Sequence, residues 1–186
     1  SPRGPLSLAK SSLAATGNSN YGWFGGGSPG PLSTVERIDF SNDAATASPR
    51  GPLSLAKSSL AATGNSNYGW FGGGFTTGGS PGPVSRVNRI DFSNDSSTAS
   101  PRGPLSLARF AVEATGNSNY GWFGGGIIPG PAVASTVDRI DFSNDSSTAS
   151  VRGSLSLARR DLAATGNSNY GWYGGGINSL PTPDLY

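Results

Sequence analysis

The stretch TGNSNYGWFGGG, Thr16 to Gly27, returns at Thr63–Gly74 and Thr115–Gly126, and again at Thr165–Gly176 with Tyr173 replacing the phenylalanine. Its reading decides the fold. Gly and Asn tolerate positive φ, so GNSN reads as a tight reversal. The aromatic stretch after it reads as a strand that a triple glycine brings to a stop. A glycine between two aromatics, Gly171 in the last copy, predicts that another backbone or ring lies against it.

Working outward, the tryptophans Trp23, Trp70, Trp122 and Trp172 are spaced by 47, 52 and 50 residues. Self-similarity near this period signals a propeller or solenoid. A full unit runs from Ser135 to Gly176. STVDRIDF alternates, with Val137, Arg139 and Asp141 on one face and Ile140 and Phe142 on the other. SNDSST follows as a turn whose side chains bond their own backbone. SLSLARRDLAAT, with Leu155, Leu157 and Leu162, reads as two strands or as a strand and a short helix. The expectation is all-β: four tandem blades of about 50 residues, each a set of short strands joined by tight turns. Drawn at the triple glycines, the units are 1–27, 28–74, 75–126 and 127–176 of a single repeat domain.

Composition supports a folded array. The 29 glycines and 14 prolines approach low-complexity levels, but 4 Trp, 6 Tyr and 8 Phe stand at fixed places in the repeat. Net charge is +2 with no basic run, so no nucleic-acid footprint is present. Apolar runs are far too short to span a membrane as helices. Cys is absent, which removes disulfides and thiolate chemistry. With no Met and a start at Ser1 inside a repeat, the chain is expected to be a piece of a longer polypeptide.

VERIDF (Val35–Phe40), RGPLSLAK (Arg50–Lys57), LAAT (Leu60–Thr63) and YGWFGG (Tyr68–Gly73) follow one another in an order that resembles kelch repeats. The whole chain is similar to highly repetitive kelch-like sequences of aquatic bacteria and phages. The resemblance implies β-propeller blades. It departs from the pattern where Ala45, Ser97 and Ser147 stand near the place of the usual Trp, and four copies are fewer than kelch rings usually have. Kelch-type oxidases hold copper through His and Tyr beside a Cys cross-link, and this chain has neither His nor Cys.

No catalytic residue, cofactor or metal site is expected. Without His or Cys the usual bases and thiol nucleophiles are missing, and equivalent carboxylates repeated around an array do not make an unlike pair across a cleft. The DFSND turns lack the Gly and distal Glu of an EF-hand loop and read as Asx turns. Tyr21/Trp23, Tyr68/Trp70, Tyr120/Trp122 and Tyr170/Trp172 are read as packing between blades, with an exposed ligand platform as the alternative. Arg37, Asp39, Arg89, Asp91, Arg139 and Asp141 are candidates for ion pairs between blades. Asn94 and Asn144 lie in N-x-S sequons.

A unit cannot bury its own apolar face, so neighbours must stack. The blades form a ring, closed by this chain or completed by another, or an open array; residues 177–186 are a candidate closing or inter-subunit strand. The functional expectation is a non-enzymatic structural or adhesive module of an extracellular fibre, cell surface or phage tail, acting as a homo-oligomer or polymer. The alternative is a lectin-like or protein-binding propeller that takes a glycan or cell-surface ligand.

Overall fold

The GNSN reversal is built on one side chain. Asn18 Oδ1 accepts the N–H groups of Asn20 and Tyr21 at 2.9 and 3.0 Å, and the Asn18 N–H donates to the Tyr21 carbonyl at 3.0 Å. Asn65, Asn117 and Asn167 repeat the arrangement. Asn suits the place because its short amide imitates a backbone turn.

The computed structural model, which describes residues 3–130 and 132–178, is all-β apart from three single 3₁₀ turns. The first sheet is an antiparallel meander of β1 (Ala14–Gly17), β2 (Tyr21–Gly25), β3 (Val35–Asp39) and β4 (Ser48–Arg50). The second contains β5 (Ala61–Gly64), β6 (Tyr68–Gly72), β9 (Val87–Asp91) and β10 (Ser100–Arg102), with a short ribbon of β7 (Phe75–Thr76) and β8 (Gly82–Pro83) inserted. The third contains β11 (Glu113–Gly116), β12 (Tyr120–Gly124), β15 (Val137–Asp141) and β16 (Ser150–Arg152), with the ribbon β13 (Ile127–Ile128) and β14 (Ala132–Val133). A last pair, β17 (Ala163–Gly166) and β18 (Gly171–Gly174), completes the described strands.

The glycine triplet ends the second strand of each sheet: Gly26 and Gly27 take φ of +73° and +112°, where only glycine is unstrained. The sheets are out of step with units drawn at those triplets. Each takes its first two strands from one unit and its last two from the next. The variable linkers fall between second and third strands, where β7–β8 and β13–β14 grow out of the sheet.

No α-helix forms over LARRDLAA. Asp161 and its counterparts Ser12, Ser59 and Ala111 take φ of 53°, 53°, 51° and 52°, a left-handed state that interrupts any helix. They also join the units. Ser59 N–H donates to Ser12 O at 2.8 Å, Ala111 N–H to Ser59 O at 2.9 Å, and Asp161 N–H to Ala111 O at 3.2 Å.

The core lies between sheets. Trp23, Val35, Leu53, Leu60, Phe71 and Ile90 fill the space between the first and second, and Trp70, Val87, Leu105, Val112, Phe123 and Ile140 fill that between the second and third. A close approach occurs in every copy, but at Gly171 it is a threonine side chain and not the backbone or ring foreseen there. A Cβ on Gly69 would stand 2.6 Å from Thr16 Cγ2 and 3.1 Å from the Phe92 ring, and one on Gly171 would stand 2.7 Å from Thr115 Cγ2. No helix among the described residues is long and apolar enough to cross a membrane. The strand expected over 177–186 lies outside the described residues beyond Asn178; Ile177 bridges to Arg160.

Candidate functional site: the joint between sheets

The site with the most chemistry is the contact each sheet makes with the next. The second strand of the first sheet places Trp23 where the 3₁₀ turn of the second sheet covers it. Trp23 and Phe92 stack with ring centroids 3.8 Å apart and planes 6° from parallel. The indole N–H donates to Asp95 Oδ2 at 2.9 Å. Arg37 Nη1 reaches the same oxygen at 3.0 Å and Arg50 Nε stands 3.2 Å from it. One buried carboxylate thus gathers an indole and two guanidiniums from three strands of the preceding sheet, which supplies the counter-charge that burial demands.

The next joint repeats this. Trp70 stacks on Phe142 at 3.8 Å and donates to Asp145 at 2.8 Å, while Arg89 and Arg102 lie 3.0 and 3.3 Å from that carboxylate. Each tyrosine adds a layer. Tyr21 and Tyr68 meet their tryptophans edge-on at 5.8 Å, and Arg37 and Arg89 lie 4.2 and 4.3 Å above the tyrosine rings.

The tryptophans are not equivalent in exposure. Trp23 and Trp70 are wholly buried, Trp122 is half-buried, and Trp172 is 53% exposed beside Tyr170 at 67%. Among the candidate cations, Arg37 and Arg89 pair across the joint, whereas Arg139 lies 4.2 Å over Tyr120 and has an unpartnered buried Nε among the described residues. The strand aspartates do different work. Asp39, Asp91 and Asp141 each accept the N–H and hydroxyl of the serine two residues on, which caps the 3₁₀ turn. Those bonds, the serine hydroxyl first, hold the three carboxyls below the usual range. Asn94 and Asn144 end their 3₁₀ turns with exposed side chains, one residue before the buried Asp95 and Asp145. The sequence places Asp95 and Asp145 in turns but gives no sign of their partners, which lie 43 to 75 residues earlier in the chain.

No family model and no curated protein matches this chain.

A second buried site recurs under the triple glycines. Lys10, Lys57, Arg109 and Arg159 occupy one slot in successive units. Lys10 forms an ion pair with Glu36 at 3.1 Å, and Arg109 with Asp138 at 2.8 Å. Lys57 donates instead to the carbonyls of Phe71 and Arg86, both at 3.0 Å, because the matching acid position holds Asn88. Burial, aided by the Arg86 charge, pushes the Lys57 amine down to about 7.

On the surface, a groove of about 340 Å³ opens between the first two sheets, lined by Asn18, Tyr21, Asn67, Tyr68, Asp91 and Ser93 among others. Its lining presents amides, a serine hydroxyl, a carboxylate and tyrosine rings. Among the described residues no three His, Cys, Asp or Glu side chains gather as metal ligands.

Proposed function

We propose that this chain is a structural and adhesive repeat module, built of kelch-like propeller blades, that self-associates by stacking blade on blade in an extracellular fibre or phage tail appendage. The observation that carries this reading is the direction of the joint. Each sheet offers a tryptophan and two arginines forward and a Phe–Asp turn backward. Units with unlike, complementary faces add head to tail, and such contacts build a ring or a fibre according to the rotation between units. The burial of Trp23 and Trp70 supports a packing role for the aromatic pairs. Nothing in the joint is arranged for turnover: its carboxylates are saturated by arginines and indoles.

Light scattering and negative-stain imaging of the purified chain test this. The expected result is a broad series of masses with filaments, shortened by Trp70→Ala. A single mass of one chain at all concentrations overturns it. A second reading, a binder of glycans, is favoured by the Tyr21–Tyr68 groove. On that reading Tyr68→Ala abolishes retention on a polysaccharide matrix without changing the mass distribution.

A further inference from the structure

Among the described residues, the third sheet carries the forward half of a joint with no backward half seated on it. In the two complete joints a tryptophan and two arginines close on a Phe–Ser–Asn–Asp turn: Trp23, Arg37 and Arg50 on Phe92–Asp95, and Trp70, Arg89 and Arg102 on Phe142–Asp145. The corresponding set is Trp122, Arg139 and Arg152. Among the described residues none of the three has a carboxylate partner, and Arg139 Nε is buried and unsatisfied. A cavity of about 300 Å³ opens at this place, lined by Thr115, Trp122, Arg152, Gly171 and Tyr173 among others. In the filled joints the same space holds the phenylalanine: Gly69 and Gly121 are covered by Phe92 and Phe142, whereas Gly171 meets only Thr115.

Two neighbouring features point to the same occupant. Among the described residues β18 pairs only with β17, while β2, β6 and β12 each pair on their other edge with a strand of the pattern Val-x-Arg-Ile-Asp. Arg159, in the cation slot, donates to Gly175 O and has no acidic partner among the described residues, where Lys10 and Arg109 have Glu36 and Asp138. In the first and third sheets the middle residue of Val-x-Arg supplies the acid for that slot, as Glu36 and Asp138. Val151, Leu157, Tyr170, Trp172 and Ile177, on β16, on β18 and in the segments next to them, are exposed.

We infer that Trp122, Arg139, Arg152, Arg159 and the edge of β18 away from β17 form a socket for a polypeptide strand and turn of the pattern Val-(Asp/Glu)-Arg-Ile-Asp-Phe-Ser-Asn-Asp. The strand adds to β18 by main-chain hydrogen bonds, its acid meets Arg159, its phenylalanine covers Trp122 and Gly171, and its final aspartate takes the indole N–H and both guanidiniums. Main-chain pairing gives affinity and the three side-chain contacts give selectivity. The inference deepens the blade-stacking reading and rests on it: β3, β9 and β15 are each already paired within a sheet, so the segment comes from a further repeat unit whose strand is unpaired.

A synthetic peptide of residues 137–149, titrated into the full chain, tests the socket itself. The expected result is saturable binding with a blue shift of tryptophan emission, because Trp122 leaves water while Trp23 and Trp70 are already buried. Peptides carrying Phe142→Ala or Asp145→Asn are expected to bind about tenfold or more weakly, and one carrying Asp138→Asn less severely affected. Failure of the peptide to bind, or equal binding by the Asp145→Asn peptide, overturns the socket. Filament formation is read separately by light scattering, so either result can fail without the other.

Discussion

The aromatic joint and the cation slot lie a few residues apart in every unit, yet they treat variation in opposite ways. At the two complete joints the partners are identical and the geometry agrees to about a tenth of an ångström: 2.9 and 2.8 Å from indole to carboxylate, 3.8 Å in both stacks. The slot holds Lys with Glu, Lys with Asn, and Arg with Asp. The difference is one of geometry. A stacked ring pair and a carboxylate shared by three donors fix orientation as well as distance, so few substitutes fit. The slot is walled by main-chain carbonyls, such as those of Phe71 and Arg86 around Lys57, and any cationic head can use them. The joint therefore sets how sheet meets sheet, and the slot holds a cation beneath the glycines with more than one kind of partner.

The largest effect should come from breaking a joint. Trp70→Ala removes a fully buried ring and leaves Asp145 with two arginines but no indole, so unfolding in urea should come earlier by about 3–5 kcal/mol. A loss below about 1 kcal/mol would mean the joint is not what couples the sheets.

Repairing the slot should act in the other direction. Lys57 has a folded pKa of about 7 against an ordinary 10.5, so between these values the unfolded chain binds the extra proton. Stability should then rise with pH from about 7 to 10.5, by at most about 1.4 kcal/mol per unit, and be insensitive to this group below 7. Asn88→Asp gives Lys57 the carboxylate its neighbours have, and should stabilise the protein at pH 6 by about 1–3 kcal/mol while flattening that rise. Urea midpoints at pH 6, 7.5 and 9 for both chains decide it; parallel pH profiles would refute the assignment.

Smaller effects sharpen the contrast between constrained and free backbone. Ala111→Gly relieves a left-handed alanine at φ 52° and should stabilise by about 0.5–1 kcal/mol. Gly78→Ala, in the linker between β7 and β8, meets nothing nearer than 4.0 Å and should shift the midpoint by less than about 0.5 kcal/mol.

Much of this fold was legible in the sequence because its signals are local. The Asn18 turn, the strand before the triple glycine and the crowding around the glycine between aromatics follow from a handful of adjacent residues. The helix alternative over LARRDLAA was decided by something nonlocal, the hydrogen bonds that hold Asp161 and its counterparts left-handed against the previous unit. The joint's carboxylate was hidden for a similar reason. Asp91 and Asp95 stand four residues apart, both beside polar turn residues, and only the packing of one sheet on another turns Asp95 towards Trp23 while Asp91 folds back onto Ser93. The empty slot acid at Asn88 was visible in the letters but not its meaning, since Lys57 becomes unusual only once it is buried.

The one-way character of the joint has a genetic consequence. A tandem duplication of some fifty codons inserts a unit that already bears a forward half for the unit after it and a backward half for the unit before it. No compensating mutation is needed at either junction, wherever in the series the copy lands. Copy number can thus drift by unequal recombination while every interface stays intact, so the length of the array carried by one chain is set by a count of repeats.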